Sequence, residues 1–416
     1  MKVLHLTTTD GLTGSAKAVV RLNEALINKN INSRVLVKNK QSSSSDINSI
    51  YNTDIGKHFL SKLGNLIEKC QQIKYKNKED IIFSTGFFGI NILSNRLIKE
   101  SDVIILHWIN SAFISIKSIK KLCGLNKKIM FYLHDSWLFT GGCHVRYSCE
   151  KYKINCGNCP ILNSGIDNDL SRKVWGKKYK YFKELDFEII VPSMWMKECA
   201  EESSILREKK ITVIPNALNT DLYKIIDKQF ARSLFNLPKD KKIILFGAVN
   251  SIKTPYKGYE YLIKSLEFIK DKYSNLDENI LYVVFGADKP MDTRLKGVTN
   301  IKFLGEFRDE YSLSALYNAA DVYVNPSLQE SFGQTIIESL SCGTPVVAFN
   351  YSGPVDIINH KQNGYLAKYK DYEDLSSGIL WCLGNGRINK ECRNTVIRQY
   401  SYPVISEKYI YNFNIK

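Results

Sequence analysis

A chain of 416 residues is long enough for two or three domains, each with its own core. Its 44% hydrophobic content is ordinary for a globular protein, and no run approaches the ~18 uninterrupted apolar residues of a transmembrane helix. The net charge of +16 is uneven: residues 1–200 hold 30 Lys/Arg against 17 Asp/Glu, and residues 201–416 hold 28 against 25.

The basic N-terminal half points to an anionic partner: a membrane surface, nucleic acid or a phosphorylated substrate. The plain alternative is a composition heavy in Lys, Asn and Ile. The opening MKVLHLTTTDG has too short an apolar run for a signal peptide. A soluble cytoplasmic protein is therefore expected, in a reducing compartment that disfavours structural disulfides.

In chain order, VLHL (3–6), SRVLVK (33–38), DVIILHW (102–108), KIMFYLH (128–134) and FEIIVPS (187–193) read as buried strands. A helical pattern covers 15–30, and the polar QSSSSDINS (41–49) reads as a loop. Residues 140–165 are too long for an ordinary strand-to-helix connection and read as an insertion. Pro and Asn punctuate 211–223. A second strand set follows: KKIILFGA (241–248), LYVVFGA (281–287), IKFLGE (301–306), VYVNPS (322–327) and TPVVAF (344–349), with helices over 259–273 and 334–341. Strands alternating with helices predict two doubly wound, parallel-sheet α/β domains. The expected boundaries are 1–210, 211–396, and a segment 397–416 that packs back on the first domain.

Five stretches carry chemistry. In TTTDGLTGSAKAVVRL (7–22), Gly11 and Gly14 let a loop before a helix approach a pyrophosphate and an acceptor. It is not a clean G-x-G-x-x-G, so dinucleotide binding is not expected. LHDSW (133–137) ends a strand where ligands of open α/β sheets collect. There His134 can donate to a sugar hydroxyl or stabilise charge, and Asp135 can act as a base or orient it. His107 ends the preceding strand and is a second candidate.

Cys143, Cys149, Cys156 and Cys159 follow with spacing C-x5-C-x6-C-x2-C. Such an insertion has little apolar material and needs a staple. A structural zinc with these four ligands, or with His144 as a spare, is the favoured reading over free thiols or disulfides. The D-x-D of 167–169 lies in a polar loop and is discounted as a metal–nucleotide site.

In FGAVNSIKTPYKGYEYL (246–262), Lys257 opens a helix where it pairs well with a diphosphate, and Lys253 can supply a second charge. A surface lysine is the plain alternative. The strongest signal is ESFGQTIIE (330–338). Glu330 precedes a helix that carries Glu338, and backbone N–H groups around Ser331, Phe332 and Gly333 face any anion or hydroxyl bound there. Carboxylates are good acceptors for vicinal sugar hydroxyls.

This last segment, in its context of VYVNPSLQ and SLSCGTPVVAFNYSGPVDII, resembles the retaining glycosyltransferases of family 4, which have the GT-B fold. HDxWxxTGGCH followed by CGxCP resembles a subgroup of surface-polysaccharide pathways. The resemblance implies that Glu338 holds the donor ribose. Glu330 and the following amides contact the transferred sugar, and Lys257 binds the donor phosphates. Tyr256 stands where relatives often have Arg.

It also implies an acceptor-binding first domain, a nucleotide-sugar-binding second domain, and a cleft between them. Hexose transfer would occur from a UDP- or GDP-sugar to a glycan or lipid-diphosphate acceptor, with no cofactor required for catalysis. The basic half suits peripheral binding at the inner, anionic membrane face, with no nucleic-acid partner. The rivals are a zinc-bearing nucleic-acid binder, which lacks base-reading signatures, and a GT-B-like phosphorylase or epimerase.

Overall fold

The computed structural model describes residues 1–51, 55–75, 81–247, 254–273, 278–287, 300–385 and 389–413. The chain forms two compact units, Met1–Ala217 with Ile405–Lys416, and Leu218–Val404.

The first unit runs β1 (Lys2–Thr9), α1 (Gly14–Ile27), β2 (Asn32–Asn39), β3 (Ile47–Ser49), α2 (Ile55–Gln72), α3 (Arg96–Glu100), β4 (Val103–Leu106), α4 (Ile116–Cys123), β5 (Lys128–Tyr132), α5 (Leu170–Phe182), β6 (Glu188–Val191), α6 (Met194–Glu202) and β7 (Ile211–Val213). All seven strands pair parallel in the order β3-β2-β1-β4-β5-β6-β7. Strands buried on both faces need continuous apolar runs, and VIIL of β4 is fully buried. The helices start at side-chain caps: Thr13, Ser115, Asp169 and Ser193 each accept a backbone N–H of the first turn.

Two details differ from the sequence reading. The polar stretch 41–49 contains β3, whose Ile47 is buried beside β2. The insertion also has apolar packing of its own: Ile81, Phe83, Ile161, Leu162, Leu170 and Val174 enclose Cys143 and Cys159. Two of the four cysteines thus already serve as small apolar residues there.

The second unit runs α7 (Lys228–Leu234), β8 (Lys242–Gly247), α8 (Tyr259–Lys272), β9 (Ile280–Phe285), β10 (Ile301–Phe303), α9 (Glu310–Ala319), β11 (Val322–Asn325), α10 (Gln334–Ser341), β12 (Val346–Phe349), β13 (Gly364–Ala367), α11 (Tyr372–Gly384) and α12 (Asn389–Tyr400). Its six-stranded sheet has the order β10-β9-β8-β11-β12-β13, again parallel. Ile243 and Leu245 join the core on one face, Ile244 and Phe246 the core on the other. The last helix, α13 (Tyr402–Phe413), contributes its residues from Ile405 onward to the first unit. There Lys128 Nζ donates to the Asn412 carbonyl at 2.6 Å.

Strand order decides what meets. In the first sheet β1, β4 and β5 are neighbours, so His5, His107 and His134 fall on adjacent strands or just past their carboxyl ends. In the second, β8, β11 and β12 are neighbours, so the loops carrying Lys257, Glu330 and Ser352 leave the same edge.

Candidate functional site

The second unit brings Lys257 and Glu330 together. Lys257 Nζ lies 2.5 Å from Glu330 Oε1, which also accepts from Ser327 Oγ at 2.9 Å. Burial works against the ammonium, but the Glu330 carboxylate outweighs it and holds Lys257 above the ordinary lysine value. The Glu330 backbone N–H donates to Ser352 Oγ at 3.1 Å, and its carbonyl accepts from Gly353 N–H at 2.9 Å.

Glycine makes this closeness possible. Gly258 has φ +68°, and a Cβ there would lie 1.7 Å from the Pro326 carbonyl oxygen. The Leu328 N–H donates to the Tyr256 carbonyl at 2.7 Å, joining the lysine loop to the glutamate loop. Ser352, the neighbour on the other side, holds a left-handed φ of 59°, a strained conformation for a residue with a side chain.

Gly333, with φ +120°, opens α10 without a side-chain cap. Glu338, one turn further, is 2% exposed, and its Oε2 accepts from the Tyr317 hydroxyl at 3.0 Å. Burial and then the Glu338 carboxylate push the Tyr317 phenol well up, so it stays a donor. Phe332 is buried with its ring against Tyr400, and Ser331 is half-buried. Lys253 lies outside the described residues.

The first unit holds a different cluster. His134 is half-buried, and its Nε2 lies 3.0 Å from His107 Nδ1. His107 Nε2 lies 3.0 Å from His5 Nδ1, and His5 Nε2 lies 3.1 Å from Ser33 Oγ. Burial pushes the imidazoles of His134 and His5 down, to about 4 and about 3, and that of His107 well down, with His134 and His5 adding to it. Gly14 is the first residue of α1, and a side chain there would meet nothing within 4 Å.

The Asp135 carboxylate bonds His144 rather than its neighbour His134. Its Oδ2 lies 2.6 Å from His144 Nδ1, and its Oδ1 accepts the Trp137 N–H at 2.8 Å. Burial would raise the carboxyl, but His144 outweighs it and holds Asp135 below the usual carboxylate value. His144 Nε2 lies 2.9 Å from Ser84 Oγ. Both ring nitrogens of this spare zinc ligand are therefore engaged within the fold.

Cys143, Cys156 and Cys159 are buried and Cys149 half-buried, and all four free thiols line one cavity of about 20 Å³. Gly141 N–H donates to Cys156 Sγ at 3.1 Å, and Cys159 Sγ accepts from the Ile161 and Leu162 amides. Burial pushes the Cys156 thiol up to about 12 and that of Cys143 well up. As placed, no three His, Cys, Asp or Glu side chains among the described residues form a metal-ligand set. In the discounted D-x-D, Asp169 caps α5 and accepts the Cys159 N–H at 2.9 Å, and Asp167 pairs with Arg172 at 2.6 Å.

Sequence reasoning missed Ser327, Ser352, Tyr317 and His5. Ser352 sits in the Ser-Gly-Pro of 352–354, a turn signal before a helical segment. His5 sits in an apolar strand run, where a histidine is the odd residue.

Residues 227–399 match the family model for "Glycosyl transferases group 1". An uncharacterized glycosyltransferase, MJ1607, of Methanocaldococcus jannaschii is 28% identical over 79% of this chain and 85% of its own. The putative colanic acid biosynthesis glycosyl transferase WcaC of Escherichia coli is 23% identical over 64% of this chain and 65% of its own. The crystal structure of Anabaena Alr3699/HepE in complex with UDP and glucose superposes with a TM-score of 0.64, at 15% identity, over 100% of both chains. The two parallel-sheet α/β units are those of the GT-B fold.

Proposed function

We propose that this chain, a glycosyltransferase enzyme by its family match and its relatives, moves a hexose from a nucleoside diphosphate sugar to a glycan or lipid-linked acceptor. The transfer retains anomeric configuration and serves cell-surface polysaccharide synthesis. The observation that carries this reading is the Lys257–Glu330 pair beside the uncapped start of α10, inside the matched stretch. A diphosphate carries more charge than one carboxylate. It competes for Lys257 and the α10 N-terminus, and frees Glu330 to accept sugar hydroxyls.

Glu338, held through Oε2 by Tyr317, accepts ribose hydroxyls. Ser331, Phe332 and Gly333 offer backbone amides, and Lys253 adds charge. The acceptor lies on the first unit, where the open side of Gly14 leaves the start of α1 clear. Stabilising charge on the leaving diphosphate is the main catalytic task, and Lys257 with the helix terminus performs it without a metal. The relative named for colanic acid synthesis supports a polysaccharide product, and the UDP and glucose held by the Anabaena protein make UDP-sugars the first donors to try.

The test is a panel of UDP- and GDP-hexoses with metal chelated, recording released nucleotide and thermal shift. Slow hydrolysis of one donor is expected. No turnover together with no nucleotide binding overturns the reading.

The acceptor reading places the protein in the cytoplasm, on the inner membrane face. No described helix is long and apolar enough to cross a membrane, and the basic first half suits anionic lipid. Equal binding to anionic and neutral vesicles at low salt would remove this part.

A structural zinc at the four cysteines is a separate proposal. Burial lowers the Lys178 ammonium to about 7 while Cys143 and Cys156 work to raise it, Arg146 lines the same cavity, and backbone amides point at two sulfurs. This positive surround suits four thiolates closing on a cation. One zinc per purified chain is expected, and metal analysis finding none removes it.

A further inference from the structure

We infer that Asn23, Ser33, His5 and His107 form a one-way hydrogen-bond relay that fixes His134 as the Nε2–H tautomer, so that His134 presents a bare Nδ1 to substrate. The inference rests on the transferase reading and on the expectation that His134, just past the carboxyl end of β5, meets the sugar.

The direction follows from counting protons. Ser33 has one hydroxyl proton, and it goes to Asn23 Oδ1 at 2.7 Å. Towards His5 Nε2, 3.1 Å away, Ser33 Oγ can therefore only accept. His5 must carry its proton on Nε2. A neutral imidazole carries one, so His5 Nδ1 is an acceptor and takes the Nε2–H of His107 at 3.0 Å. By the same step His107 Nδ1 takes the Nε2–H of His134 at 3.0 Å.

The chain starts at buried groups, with Asn23, Ser33 and His5 at 3%, 2% and 0% exposure, and ends at the half-buried His134. A second proton on His5 or His107 would sit on Nδ1 and face the Nε2–H of the next ring, so the relay also keeps those two rings neutral. Strand order builds it, since β2, β1, β4 and β5 are successive neighbours and each supplies or precedes one member.

The consequence is chemical. A bare ring nitrogen accepts from a hydroxyl and has nothing to offer a phosphate oxygen or a carboxylate. His134 therefore reads a sugar hydroxyl as a donor, the reverse of the role its position in the sequence first suggests, and does not contribute to holding the diphosphate. His5, His107 and Ser33 touch no substrate; they are positioning residues.

The test uses the full chain labelled with ¹⁵N at histidine. Two-bond ¹H–¹⁵N correlation reads each tautomer, whatever the activity. At pH 7 the three signals of His5, His107 and His134 are expected in the neutral Nε2–H pattern. Nδ1–H on His134, or a charged ring, overturns the proposal.

Ser33→Ala removes the terminal acceptor with little change in volume, and the His134 signal is expected to become a mixture of tautomers. In the transferase assay, kcat should fall about tenfold while the Kd for free nucleoside diphosphate stays within about twofold. An unchanged His134 tautomer in folded Ser33→Ala also overturns the relay. Full activity in His134→Ala would instead overturn the sugar-site reading and leave the tautomer result standing on its own.

Discussion

The two units hold their candidate groups by opposite physics. In the first, three neutral imidazoles, a hydroxyl and an amide pass hydrogen bonds along one line, and burial keeps protons off the rings. In the second, a full ion pair at 2.5 Å sits at a helix start, and the carboxylate supports the ammonium against burial. A neutral network is specific about hydrogen-bond direction and sensitive to acid. An ion pair is open to competition by a charged ligand and indifferent to pH near neutrality. The proposed transfer, which reads hydroxyls and neutralises a diphosphate, has use for both.

The comparison is broken most severely at Gly258. An added methyl meets the Pro326 carbonyl and requires a left-handed backbone, so the two loops must separate. Gly258→Ala is expected to lower the stability of the second unit by about 3 kcal/mol and to abolish donor binding. The first unit's histidine tautomers should not change. Chemical denaturation with donor titration measures the first two effects, and a variant of wild-type affinity would show that the loop contact does not build the pair.

Glu330→Gln keeps a similar shape and the Ser327 contact but removes the charge. A fall of about a hundredfold in kcat/KM is expected, mostly in kcat. Affinity for free nucleoside diphosphate should hold or rise, since Lys257 is released from its competitor. Weakened nucleotide binding would mean that the carboxylate supports the phosphate site rather than the sugar.

Acid separates the units in the other direction. The folded pKa values of His5 and His134, about 3 and about 4, lie below the ordinary 6.5. Between 6.5 and those values the unfolded chain binds more protons, so stability rises with pH there and is lost as pH falls. His107 shifts the same way, while Asp135 beside His134 favours its charged form. A loss on the order of a few kcal/mol from pH 7 to pH 5 is expected in the first unit. Four of the five tryptophans, at 108, 137, 175 and 195, lie in that unit, so fluorescence-detected urea unfolding reports mainly on it. A flat profile would place charge on the relay.

How much of this was legible in the sequence follows the range of each interaction. Buried parallel strands such as VIIL and IILF announce themselves because both faces need apolar residues. Glu330, Glu338 and Lys257 were singled out as charged residues beside helix starts, and the resemblance implied their roles. Their partners were not singled out. Ser352 meets Glu330 across 22 residues and Tyr317 meets Glu338 across 21, and neither Ser nor Tyr signals its role locally. The strand β3 was hidden because three residues inside a polar run carry too little periodicity. His5 was read as part of a strand and Asp135 as a partner of its neighbour. The relay and the Asp135–His144 pair exist only because strand order and the folded insertion bring distant residues together.

The smallest expected effect tests whether the second unit's other carboxylate follows the ion-pair rule or the neutral one. Glu338 is buried, and the partner of its Oε2 is the Tyr317 phenol, a donor without charge. Tyr317→Phe removes one hydrogen bond to that carboxylate while keeping the ring that packs against Tyr223 and Tyr323. A loss of about 1.5 to 3 kcal/mol in stability is expected, the range for a bond to a charged group. If Glu338 receives the ribose, the variant should also raise the donor KM by about threefold to tenfold with little change in kcat, because the carboxylate is less well held but the sugar-side groups are intact. A stability loss with an unchanged KM would make Glu338 a buried structural carboxylate, and the donor site would then rest on Lys257, Glu330 and the start of α10 alone.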